Sequence, residues 1–178
     1  MKVVLLSTLL CCMASAGDVT IVLDFQGPHS DRSIGEMKRE FEGIMKGSGL
    51  SFDWRLRSEA AGQSFANLVL VKFKGKCILE PVPYLYDERG PLAFTYSTDG
   101  ALLPFSEVAC DKITASVRTA MYGDDFAKAD LLFGRALGRV VAHEFIHMLR
   151  NSKNHDREGV EKPALSGVDL IAPDLSHK

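Results

Sequence analysis

The chain carries almost no net charge: 21 Lys and Arg against 23 Asp and Glu leave −2. That balance offers no basic surface for nucleic acid or for an anionic membrane. Past the N-terminal stretch it also lacks any apolar run long enough to cross a bilayer as a helix, so no stable membrane insertion of the mature protein is expected. Internal repeats and low-complexity tracts are missing. At 178 residues and 46% hydrophobic, the composition suits one domain around a single core. Cysteine is scarce, with four in all, and none outside the first residues has a close Cys or His neighbour. A Cys-ligated zinc site is thereby disfavoured.

The first residues are a special case. "MKVVLLSTLLCCMASA" opens with Lys2, runs apolar from Val3 to Met13 and ends in Ala14-Ser15-Ala16. This is the pattern of a secretory signal with a small-residue cleavage site after Ala16. Residues 1–16 are therefore read as a cleaved signal peptide and 17–178 as one domain, exported to an extracellular or periplasmic space. No long inhibitory prosegment is expected between the signal and the first strand. Cleavage leaves Cys77 and Cys110, an even pair in an oxidising compartment, and predicts one disulfide.

Along the mature chain, "DVTIVLDF" (18–25) predicts a buried strand. Ser30 or Asp31 can cap a helix whose inner stripe is Ile34, Met37, Phe41 and Ile44, ended by Gly47 and Gly49. "LSFDWRLR" alternates, with Leu50, Phe52, Trp54 and Leu56 facing one way. A loop at 59–64 precedes a central strand at 66–73. Residues 92–96 and 101–108 flank Asp99-Gly100, which signals a hairpin. Pro104 makes its second arm an edge or marks a bulge. A short helix follows, capped by Asp111, with Ile113, Val117, Ala120 and Met121 inward. A long, largely buried helix then runs from the "DDFAKAD" stretch to Arg150, where Gly134 and Gly138 permit close packing on the sheet. Periodicity stops at Asn151, and Ser166 caps a last short helix over 167–171. The expected fold is α/β (α+β). It has a twisted mixed sheet of about five strands with an antiparallel hairpin edge, packed on a helix after the first strand and on the long helix.

The chemistry concentrates in "AHEFIHMLRNSKNHDREGVEKP". Residues four apart share a helix face, so His143 and His147 can offer imidazoles to one ion. Glu144, about 100° round the wheel, can reach an open coordination position without ligating. Such spacing suits two zinc ligands and a base for bound water. A catalytic zinc needs a third protein ligand. His155 is the choice, past the helix end, with Asp156, Glu158 and Glu161 as rivals. His29 and His177 look incidental. A di-iron carboxylate site would need a second Glu-x-x-His, and the chain has none.

These residues resemble the HExxH motif of the zincin metallopeptidases, and the predicted element order is similar to a metzincin-like plan. "GPLAFTYSTDGALLPFSEVACDKI", "AHEFIHML" and "HDREGVEKPALSGVDL" are also similar to small secreted bacterial proteins described only as predicted zinc peptidases. The resemblance implies a sheet of mostly parallel strands with one antiparallel edge, and a zinc helix after the last strand. It also implies a Zn2+ cofactor and hydrolysis of peptide bonds. The metzincin pattern places glycine at the position of Arg150 and its third ligand at that of Lys153. It also expects a later methionine, yet none follows Met148. The mechanism expected is water on zinc, ionised near pH 7, with Glu144 as general base. A peptide or protein substrate could pair with the hairpin edge, and one of Tyr84, Tyr86, Tyr96 or Tyr122 could steady the oxyanion. The enzyme is expected to be a monomer. The competing expectation is a secreted zinc-binding module without turnover.

Overall fold

A computed structural model describes residues 17–79 and 90–175; the signal stretch, Tyr84, Tyr86 and His177 lie outside them. In chain order the elements are β1 (Gly17–Phe25), α1 (Asp31–Ile44), β2 (Leu50–Leu56), α2 (Arg57–Ala60), β3 (Leu68–Lys74), β4 (Ala93–Thr98), β5 (Ala101–Ala109), α3 (Cys110–Ala120), α4 (Ala129–Arg150) and α5 (Gly167–Ile171). The five strands form one mixed sheet in the order β2-β1-β3-β5-β4. All neighbours are parallel except β4, which runs antiparallel to β5 at the edge. The expected α/β architecture, with an antiparallel hairpin edge, is therefore present.

Strand alternation decides which side of the sheet is covered. Ile21, Leu23, Val69, Val71, Phe73 and Val108 are buried in one core with Met37, Phe41, Phe133, Leu137, Val141 and Phe145 from α1 and α4. Phe41 anchors this layer, meeting Phe52, Trp54 and Phe145 edge-on at centroid distances of 5.0, 5.1 and 5.4 Å. Helix α1 starts as its sequence predicts: the Ser30 hydroxyl accepts from the Ser33 amide. Cys77, after β3, is disulfide-bonded to Cys110 at the start of α3.

Several local expectations are corrected. Pro104 does not make β5 an edge strand, because β5 lies between β3 and β4. It marks the irregularity instead: the register shifts between Thr95↔Ser106 and Ser97↔Leu102, so three residues of β5 stand opposite Tyr96. Pairing with β3 begins only at Phe105, so the missing amide of Pro104 interrupts neither ladder. Asp111 is not a cap. Ala109 holds that position without a side-chain bond, and the Asp111 carboxylate accepts from the Lys76 amide at 3.1 Å. The loop after β2 contains the single turn α2, and Leu56, at the end of its strand, is 38% exposed though in register with the inward Phe52 and Trp54. The long helix begins at Ala129, after a 3-10 turn over Gly123–Lys128. Finally, Gly134 and Gly138 face α1 and not the sheet. A Cβ at Gly134 would lie 2.4 Å from the Ser33 carbonyl oxygen, and one at Gly138 2.7 Å from that of Met37.

Candidate metal centre

Helix α4 sorts its side chains by rows. Leu137, Val141 and Phe145, four apart, are buried in the core. Val140 and Glu144 form the next row and are also buried, at 3% and 6% exposure. His143 and His147 form the row beyond, at the lip of the fold. The helix ends at Asn151, whose left-handed backbone (φ 46°, ψ 45°) turns the chain back on itself. That turn is tied to the hairpin twice: the Leu102 amide donates to Asn151 Oδ1 at 2.9 Å, and Lys153 Nζ donates to Ser97 at 3.1 Å. The chain so returned brings His155 to the two helix histidines.

The ligating atoms of His143, His147 and His155 all lie within 4.8 Å of one another. The ring of His147 stands at 87° to both of the others, and the rings of His143 and His155 lie 5.3 Å apart at 23°. His143 Nδ1 is 2.8 Å from the Val160 carbonyl oxygen, and His147 Nδ1 is 2.7 Å from that of Ser152. A carbonyl can only accept, so each Nδ1 carries the hydrogen. Each neutral ring then presents a bare lone pair at Nε2, and these two Nε2 atoms stand 3.0 Å apart. Two lone pairs facing at that distance repel, and a cation between them turns the repulsion into coordination. The outer carbonyl bond is also what metal-binding histidines ordinarily have. Burial, then the neighbouring imidazoles, lowers the pKa of His155; burial likewise lowers that of His143 despite its Val160 bond. Both shifts favour the neutral form that a metal requires. The cluster could hold a metal ion.

Three imidazoles are a donor set that zinc accepts: at about 2.0–2.1 Å to nitrogen, tetrahedral geometry separates two nitrogens by about 3.3 Å, against 3.0 Å between the His143 and His147 nitrogens and at most 4.8 Å across the set.

The rival carboxylates are engaged elsewhere or stand outside the cluster. Glu161 forms a two-pronged pair with Arg150, through Nη2 at 3.0 Å and a second bond from Nη1. Asp156 is exposed and 3.8 Å from the same guanidinium, and Glu158 is exposed. Lys153, at the position of the metzincin third ligand, bonds to Ser97. Of the tyrosines in the described residues, Tyr96 alternates with Thr95 onto the opposite face of the sheet, stacked on Phe105 at 4.6 Å. Tyr122 is 88% exposed beyond α3. His29 stacks on Phe25 at 4.1 Å, away from the cluster.

Glu144 does not join the three imidazoles as a ligand. Its Oε2 accepts from Thr95 Oγ1 at 2.6 Å, across from β4. Burial raises its pKa, and the Thr95 bond acts against that rise. Together with His143 it lines a cavity of about 250 Å³, walled by Leu92, Ala93, Val140 and Leu165. Sequence reasoning missed Thr95, the Val160 and Ser152 carbonyls and the Arg150–Glu161 pair. None carries a local signal, since each depends on which strand or loop the topology lays against α4. No protein-family model matches the chain, and no curated protein matches it. No helix among the described residues is long and apolar enough to cross a membrane.

Proposed function

We propose that this chain is a secreted zinc-dependent peptidase of the zincin class, hydrolysing peptide bonds with Glu144 as general base. The observation that carries the reading is that His143 and Glu144 open onto one cavity, walled largely by apolar side chains together with Lys162. A site built only to stabilise the fold has no use for a cleft or a buried carboxylate beside its ligands. The ligand count agrees: three imidazoles leave one position of a tetrahedral ion free, as catalytic zinc sites do and structural ones do not. Zinc held there would ionise a water near neutral pH and polarise a substrate carbonyl.

The chain's own residues supply the rest. His143, His147 and His155 would hold the ion, and backbone carbonyls fix two of the rings. Glu144 takes a proton on its carboxylate and returns it to the leaving amine. Leu92, Ala93, Val140 and Leu165 line the adjoining cavity and would accept an apolar part of the substrate. The metzincin-like plan is supported by the sheet, in which β4 is the one antiparallel edge. Helix α1 follows the first strand, and the helix bearing the ligands comes after the last. The Cys77–Cys110 disulfide is in keeping with export.

The test measures metal content and cleavage of a mixed peptide library for the wild type and Glu144→Gln. Both should retain about one zinc per chain, and the variant should lose about 10²–10⁴-fold in rate. A wild type that holds zinc and cuts nothing overturns the peptidase in favour of a binding module. A wild type that holds no metal overturns both.

A further inference from the structure

We infer that Thr95 is a positioning residue for the base, holding the Glu144 carboxylate in one orientation from the edge strand. Thr95 Oγ1 lies 2.6 Å from Glu144 Oε2 and 3.5 Å from the Glu144 carbonyl oxygen. A hydroxyl has one hydrogen, and the short contact to the carboxylate takes it. Charge-assisted O–H···O⁻ bonds have this length.

The placement comes from the sheet. Thr95 pairs with Ser106, a fully buried residue, so its side chain faces the helix layer. It is the last residue of β4 in that register before the shift at Tyr96, and a one-residue slip would turn its hydroxyl to the far side. The neighbouring inward position on the same strand is Ala93, and the residue opposite Ala93 is Val108. Valine would satisfy strand propensity at position 95 as well as threonine and would pack better beside these side chains. A half-buried hydroxyl here is costly unless it has a partner, and the partner is Glu144.

A carboxylate with one oxygen fixed has its plane fixed, so the other oxygen keeps a single direction of approach. Burial confines the Glu144 side chain, and among the described residues the bond from Thr95 is the one hydrogen bond to its carboxylate. The bond therefore acts between two rigid elements, β4 and α4, and tightens the geometry a general base needs.

For its kinetic arm this inference rests on the peptidase reading, so the experiment carries a second arm that does not. Thr95→Val, Thr95→Ser and Glu144→Gln are compared with the wild type, with Thr95→Ala replacing valine should valine fail to fold. Kinetics on a cleaved peptide are measured for zinc protein. The visible spectrum between pH 5 and pH 9 is measured for protein loaded with cobalt(II), which reports the carboxylate beside the metal with or without turnover. The expected result is a fall of about 10–100-fold in kcat for Thr95→Val with KM within about twofold. The serine variant should recover the rate, and melting temperature and metal content should stay at wild-type levels. The cobalt spectrum of Thr95→Val should move toward that of Glu144→Gln, and that of Thr95→Ser should match the wild type. Wild-type kcat and spectrum in Thr95→Val would overturn the inference, as would a loss that serine fails to restore. If no peptide is cut by the wild type, the peptidase reading falls and the spectrum alone decides: a valine variant indistinguishable from wild type refutes the role of Thr95.

Discussion

Alanine is the best helix former and glycine among the worst, so replacing Gly134 or Gly138 in the middle of α4 ought to stabilise the helix by about 1 kcal/mol. We expect the opposite. A Cβ at Gly134 would lie 2.4 Å from the Ser33 carbonyl oxygen and 2.6 Å from Glu36 Cβ. Ordinary carbon-to-oxygen contact is about 3.3 Å, so α4 would have to retreat from α1 by nearly 1 Å. The obstacle is backbone on a neighbouring helix and cannot rotate away. Overpacking of this kind costs up to about 3 kcal/mol, and helix propensity returns about 1, leaving about 2 kcal/mol of net loss. In a domain of this size that lowers Tm by about 4–8 °C. Gly138→Ala meets Met37 O and Glu40 Cβ at 2.7 Å each and should cost less. Gly35 and Gly43 on α1 provide the control, because an added Cβ there meets nothing within 4 Å. The same substitution at those positions should raise Tm or leave it unchanged. Differential scanning calorimetry of the four variants checks the signs. Equal or greater stability in Gly134→Ala would refute the close packing of α1 on α4.

Replacing Cys77 and Cys110 together by alanine should destabilise the fold by about 3–4 kcal/mol, since the bond closes a loop of 33 residues; urea unfolding with and without reductant measures it, and a loss below about 1 kcal/mol would count against the bridge. Asp169 bears on acid stability. Burial raises its pKa, but the bonds from Lys162 and Ser166 outweigh it and hold the group at about 2. A folded-state value below the unfolded one of about 4 stabilises fully above that value and is lost as the pH falls through about 2. Asp169→Asn should therefore cost about 1–2 kcal/mol at pH 6 and nothing near pH 2, as followed by denaturant unfolding across that range. His155→Ala should weaken zinc binding, measured against a chelating dye, by more than the about 10–100-fold typical of losing an outer hydrogen bond. Arg150→Ala, which frees the loop bearing His155, should weaken it less, and an unchanged affinity would show that the Glu161 pair does not order the loop.

The strand and helix framework was legible because its signals are local. Apolar, β-favouring runs gave β1 and β3, alternation gave β2, Asp99-Gly100 gave the hairpin, Ser30 takes the first cap of the two candidates Ser30 and Asp31, and Ser166 caps the last helix. What failed depends on neighbours distant in sequence. Pro104 reads equally as an edge residue or a bulge, and only the partners decide for the bulge: β3 begins its pairing one residue later and β4 shifts register opposite it. Gly134 and Gly138 read as a smooth face without naming its partner. The sequence expectation is the sheet, but the first helix takes that face. Asp111 reads as a cap because an acid in a first turn ordinarily is one, yet the turn bearing Cys77 comes close enough to capture it.

The candidate site divides along the same line. His143, Glu144 and His147 are bound to one helix and could be related from spacing alone. His155 could be chosen only by chemistry, and its arrival depends on a set of exchanged roles. Arg150 and Lys153 stand where the resembling family carries glycine and its third ligand, and neither is inert here. Arg150 holds Glu161, removing that carboxylate from competition for the metal and drawing the far end of the loop against the helix. Lys153 reaches Ser97 on β4, and Asn151 reaches Leu102 on β5, fastening the near end to the hairpin. Between these two fixings lies the stretch that carries His155. The departures that disqualify the familiar ligand position are therefore the contacts that deliver another histidine to the same two nitrogens. A family pattern read position by position would have scored them as losses, whereas the chemistry of the side chains scores them as a substitution of one loop geometry for another.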